Sequence, residues 1–176
     1  MSRQTNGNLN FTHIFDEATN SELTLNVDYY HNANTTANDQ KTFTRSLVAS
    51  EWVPSTRLVD SDNKVNIWSA KADYEAAVFN FARLEAGAKW ALSKTANTTS
   101  RAETGPSAVN TGTRFKYREN VGAAYFSLAA QFGPKWSAKA GLRGEYTNSL
   151  GDWITAGDQS KRSYFDLFPT AFVGFN

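Results

Sequence analysis

Between Arg114 and Tyr146 the chain alternates apolar and polar residues with a period of two. Trp136, Ala138, Ala140, Leu142, Gly144 and Tyr146 fall on one side of an extended segment, and Ser137, Lys139, Gly141, Arg143, Glu145 and Thr147 on the other. Period two is the signature of a strand with two unlike faces. The preceding segment repeats it, with Ala124, Phe126, Leu128, Ala130 and Phe132 opposed to Tyr125, Ser127, Ala129 and Gln131. The tight turn Phe132-Gly133-Pro134-Lys135 joins the two. A turn pairing Phe132 with Trp136 sets Phe126 against Leu142 and Tyr125 against Arg143, so register and face agree.

The same alternation predicts strands elsewhere. Leu9, Phe11 and Phe15 oppose Asn10, Thr12 and Asp16; Leu23, Leu25, Val27 and Tyr29 oppose Thr24, Asn26, Asp28 and Tyr30. Trp68, Ala70, Ala72 and Tyr74 oppose Ser69, Lys71, Asp73 and Glu75, and the returning strand sets Leu84, Ala86, Ala88, Trp90 and Leu92 against Arg83, Glu85, Gly87, Lys89 and Ser93. Electrostatics predicts that Asp73 faces Arg83 and Lys71 faces Glu85, because unlike charges across a ladder are favoured. The last strand, from Lys161 to Phe175, carries Pro169 in its middle, and a missing ladder donor predicts a bulge or interruption there.

Short turns are expected near residues 17–21, 78–80 and 132–135, and long polar loops at about 32–62, 94–113 and 148–160. The first of these loops is expected to be a partly ordered hairpin beyond the sheet. Short and long connections thus alternate. In a meander this gathers the tight turns at one end and the long loops at the other, as in outer-membrane barrels. The prediction is an all-β, antiparallel up-and-down meander of about seven long strands in one segment, 1–176, part of a transmembrane β-barrel. The isolated segment is expected to curl into a small barrel or half-barrel, or to dimerise, because an open apolar face such as that of Leu84, Leu128 and Leu142 rarely survives in water.

Composition narrows the classes. The 176 residues carry a net charge of +1, so a basic nucleic-acid surface is not expected. There is no cysteine, which excludes disulfides and thiol chemistry. Aromatic residues make up 14%, including five Trp. Trp68, Trp90, Trp136 and Tyr146 lie near the ends of apolar runs whose centres are Ala and Leu, where a membrane girdle would need them. The start, Met1-Ser2-Arg3-Gln4, has no apolar signal core, so a cytosolic protein or an excised piece of an exported chain is expected.

The candidate sites are weak. His13 and His31 are the only imidazoles, and Asp60-Ser61-Asp62-Asn63 is calcium-loop-like but lacks the required Gly and later Glu. Glu75 and Glu85 could form a glycosidase pair, yet their charged neighbours favour a solvated ladder. No catalytic residue, cofactor or metal is assigned, and no enzyme is expected. Three Asn-x-Thr triplets in an Asn/Thr-rich chain carry little weight.

Tyr117-Arg118-Glu119-Asn120-Val121-Gly122-Ala123-Ala124-Tyr125, then Gly141-Leu142-Arg143-Gly144-Glu145-Tyr146-Thr147 and Tyr164-Phe165-Asp166-Leu167-Phe168-Pro169, resemble the barrel region of TonB-dependent outer-membrane receptors. More narrowly they resemble the outer-membrane β-barrel family; Asp73-Tyr74 and Leu84-Glu85-Ala86-Gly87-Ala88-Lys89 extend the match upstream. The resemblance implies an importer barrel of about 22 strands, of which this chain supplies about seven, without a plug. It implies contact with outer-membrane lipid, with a plug domain and the TonB system through other regions, and with an unidentified nutrient. The inner wet wall would comprise Lys71, Asp73, Arg83, Glu85, Lys89, Lys139, Arg143 and Glu145. Two other classes fit the pattern: a soluble lipocalin-like small-molecule-binding barrel, and an adhesin-like surface protein working through its loops.

Overall fold

The computed structural model describes residues 1–16, 19–45, 51–105 and 108–175. They form one antiparallel sheet of seven strands in sequence order: β1 (Ser2–Asp16), β2 (Ser21–Arg45), β3 (Trp52–Phe79), β4 (Ala82–Thr104), β5 (Val109–Phe132), β6 (Trp136–Trp153) and β7 (Asp158–Phe175). The β5–β6 register is the predicted one: Phe132 faces Trp136, Phe126 faces Leu142 and Tyr125 faces Arg143.

Four expectations are corrected. Most of 32–62, 94–113 and 148–160 is strand, not loop. Asn32 to Arg45 pair with Val65 to Trp52, and Lys94 to Glu103 pair with Arg118 to Val109. These ladders lack apolar alternation because both of their faces are mostly polar, and continuous backbone pairing keeps them extended. Residues 46–50 of the first expected loop lie outside the described residues, as do Glu17 and Ala18 of the first turn.

The β3–β4 register also differs. Asp73 faces Gly87 rather than Arg83, and Lys71 faces Lys89 rather than Glu85. The turn decides this: β3 runs on to Phe79, β4 starts at Ala82, and a bulge between Ala77 and Phe79 absorbs one residue. The charges still pair: Arg83 reaches diagonally to Glu75, and Lys71 bonds Asp73 two residues along its own strand.

Pro169 neither bulges nor interrupts β7; it faces Leu142 in an unbroken ladder. The strand is at the edge of the sheet, where a proline costs nothing if its absent N–H lies on the open side.

The sheet does not close: among the described residues every strand contact is between sequence neighbours, and β1 does not touch β7. The expected curling into a small closed barrel is therefore absent. Among the described residues no second layer covers either face, and the buried apolar ones are three alanines, Ala76, Ala82 and Ala123.

Candidate functional site: a two-faced wall

The ladders align every strand's apolar side. Starting from Leu23, direct partners across the sheet are Tyr74, Ala86, Phe126, Leu142 and Pro169; starting from Val27 they are Ala70, Trp90, Gly122, Tyr146 and Phe165. Phe126 is 55% exposed, Leu128 43% and Phe165 60%. Both faces also hold small buried residues: Ala76 and Ala82 on the apolar side are each 7% exposed, and Ala123 and Thr147 on the polar side 8% and 3%.

Aromatic rings bound the apolar face at both ends. At the tight-turn end Phe79 meets Phe81, Phe81 meets Phe132, and Trp136 meets Phe175 with ring centres 5.6, 6.2 and 4.8 Å apart. The bulge after Ala77 is what turns Phe79 onto this face. At the other end stand Trp90 and Tyr146, with Tyr29 packed on Trp68 at 4.3 Å. The indole N–H of Trp90 donates to Asn120 Oδ1 at 2.6 Å, a polar handle at the upper rim. From Trp136 to Tyr146 is ten residues, about 34 Å of strand, or about 26 Å across a membrane at ~40° tilt. That matches the apolar band of an outer-membrane barrel.

All eight residues expected in the wet wall share the polar face, by the same ladders. Arg83 Nη2 meets Glu75 at 2.5 Å, Lys71 meets Asp73 at 2.7 Å and Arg143 meets Glu145 at 2.7 Å. Lys139 Nζ reaches over β5 to Glu85 at 2.7 Å, where Ser127 also donates, at 2.9 Å. Beside this network the Tyr125 ring lies over Gly87, where any Cβ would sit 2.5 Å from the Tyr125 hydroxyl.

The metal and catalytic candidates do not assemble. His13 faces Leu23, while His31 faces Thr5 and hydrogen-bonds Asn66 at 2.7 Å. Asp60 to Asn63 lie within β3, so alternate members point to opposite faces and do not encircle a cation. Glu75 and Glu85 do face each other, but each is held by a cation.

One feature lies where no alternation signalled it. Above the band, on the polar face, Phe115, Tyr117, Glu119, Trp153, Arg162 and Tyr164 line a hollow of about 230 Å³. The Tyr117 hydroxyl donates to Glu119, and this bond, with partial desolvation, holds the phenol above its usual value. Farther out, Arg101 and Arg57 lie 2.5 and 3.4 Å from Glu103, and the hydrogen bond from Arg101 holds that carboxyl below its ordinary range.

Among solved structures the chain is similar to the ferric citrate transporter FecA in its unliganded form, with a TM-score of 0.66 at 14% identity over 99% of this chain and 25% of that one. The ferric yersiniabactin uptake receptor FyuA from Yersinia pestis is also similar, at 14% identity and a TM-score of 0.38, with 99% of this chain and 35% of that one covered. The chain thus spans a quarter to about a third of the length of these structures. No curated protein sequence matches it. The model of the outer membrane protein beta-barrel family matches residues 13–176. An open meander with an uncovered apolar face about 26 Å tall at ~40° tilt accords with that match: the chain belongs to the outer membrane protein beta-barrel family and resides in the cell outer membrane.

Proposed function

We propose that this chain is a wall segment of a TonB-dependent receptor barrel that takes up a nutrient across the outer membrane, in a structural and conductive rather than enzymatic role. The single observation carrying this reading is the division of the sheet into an uncovered apolar face and a polar face, kept in register over seven strands except for shifts after Ile14 and Ala77 beside the tight turns, with ion pairs on the polar side of β3, β4 and β6. The fold likeness to FecA over nearly the whole chain supports it. Lys71, Asp73, Arg83, Glu85, Lys89, Lys139, Arg143 and Glu145 line the wet interior, where paired charges keep the wall hydrated without a large net field. The extended ladders beyond the band and the hollow around Tyr117 and Trp153 face the nutrient, and a plug and the TonB system act through other parts of the protein.

The test is uptake. A strain lacking the protein loses import of one nutrient from a mixed medium, and removing TonB from the parent strain abolishes the same import. Import that persists without TonB contradicts the reading.

A further inference from the structure

Two sets of cations on this sheet differ in their partners. On the polar face Lys71, Arg83, Lys139 and Arg143 each touch a carboxylate. On the apolar face, just beyond the aromatic rim, Lys64, Lys94, Lys116 and Arg118 touch none among the described residues, yet they line one hollow of about 370 Å³.

Their placement is set by the ladders. Counting outward from Trp90, Lys94 is the second residue on the same face, and it stands directly opposite Arg118. Like charges in direct opposition destabilise a sheet unless an anion lies between them. Ala96 separates Lys64 from Lys116 in the next row and leaves the space open. Asp152, opposite Lys116, is the one carboxylate lining the hollow, against four cations. Lys94 lies four residues beyond Trp90, about 13 Å of strand, or about 10 Å above the apolar band at ~40° tilt. That is at the outer edge of the headgroup layer, roughly 5–8 Å thick on each side, which the long side chains of Lys94, Lys116 and Arg118 reach by angling back toward the membrane.

We propose that this hollow is a docking site on the outer wall for the phosphorylated headgroup of an outer-leaflet lipid. It rests on the proposed reading that the apolar face meets lipid. The occupant's acyl chains lie along the Trp90, Tyr146 and Phe165 surface while its phosphates enter between Lys94, Lys116 and Arg118. Charge complementarity and continuity with the lipid-facing band single out a membrane lipid.

The test uses the full-length protein in mild detergent, with diphosphorylated lipid A as probe and bound lipid counted by native mass spectrometry. The variant K94Q/K116Q/R118Q binds about tenfold more weakly or worse, as expected for three cations lost at a headgroup, and Lys94→Gln alone gives a smaller loss. Lys135→Gln, at the opposite end of the sheet, binds like the parent. Dephosphorylated lipid A binds the parent as weakly as intact lipid binds the triple variant. The site is overturned if the triple and single variants both retain parental binding, if Lys135→Gln loses as much, or if equimolar inorganic phosphate displaces the lipid. A spin label at position 142 in bilayers separates the two levels: lipid-phase exposure there together with unchanged lipid A binding refutes the site alone, and aqueous exposure refutes both.

Discussion

Glu75 and Glu85 stand directly opposite one another in the β3–β4 ladder, and Arg83, two residues before Glu85, closes on Glu75 at 2.5 Å. Lys139 takes the other carboxylate from two strands away. The like-charge opposition is thus tolerated because each acid has its own cation. Both members of the Arg83–Glu75 pair are more than a third exposed, so its Coulomb energy is heavily screened.

Arg83→Ala is therefore expected to destabilise the folded protein by only about 0.5–1 kcal/mol, and Glu75→Gln in the same background recovers most of it. Denaturant unfolding of the four members of this double-mutant cycle measures the coupling. A loss of several kcal/mol, or no rescue, contradicts the screened-pair account.

Glycines at two positions separate packing from permissiveness. A Cβ at Gly87 would lie 2.6 Å from the Tyr125 ring and 2.7 Å from the carbonyl of Ala72, whereas one at Gly122 would meet nothing within 4 Å. Gly87→Ala is expected to cost about 1–3 kcal/mol through displacement of strand and ring. Gly122→Ala is expected to be neutral or stabilising by up to ~1 kcal/mol, since it only narrows the unfolded ensemble. Paired unfolding curves check the contrast.

Acid weakens the outer end of the β3–β4 hairpin. The carboxyl of Glu103 is held below its ordinary value of 4.5, chiefly by its hydrogen bond from Arg101. A group whose folded pKa is depressed contributes stability that is full above its unfolded pKa and lost as pH falls through the folded one. Backbone amide exchange around Arg57 and Arg101 is expected to speed up as pH drops below 4.5, after correction for intrinsic rates. In Glu103→Gln this pH-dependent step disappears.

Burying a cation on the apolar face discriminates membrane from water most simply. Leu128 lies midway between the rows of Phe132 and Trp136 and of Gly122 and Tyr146. Leu128→Arg is expected to cost about 2–4 kcal/mol in a bilayer. Ser69→Arg, on the polar face beside Asp28, is expected to be tolerated. Folding yields into lipid vesicles report both.

How much was legible follows from where each face meets one solvent. Between Trp136 and Tyr146 lipid and water impose opposite demands, so alternation is written into the residues and the β5–β6 register can be read directly. Beyond the rim both faces are polar, the demand disappears, and Asn32 to Arg45 reads as loop although it is paired throughout. Pairing unlike charges straight across does not give the β3–β4 register, because the side chains of Arg83 and Lys139 reach diagonally. The Tyr117 hollow left no period to read, since it combines residues of β5, β6 and β7.

The central claim concerns which solvent each face of β6 meets. The chain contains no native cysteine, so spin labels can be placed singly from position 136 to 146 in the protein reconstituted in bilayers. Collision rates with oxygen and with a water-soluble nickel chelate are then measured at each. The account predicts a period of two, with oxygen dominating at position 142 and the chelate at 143. Equal chelate access at both positions, or a period near 3.6, would contradict it.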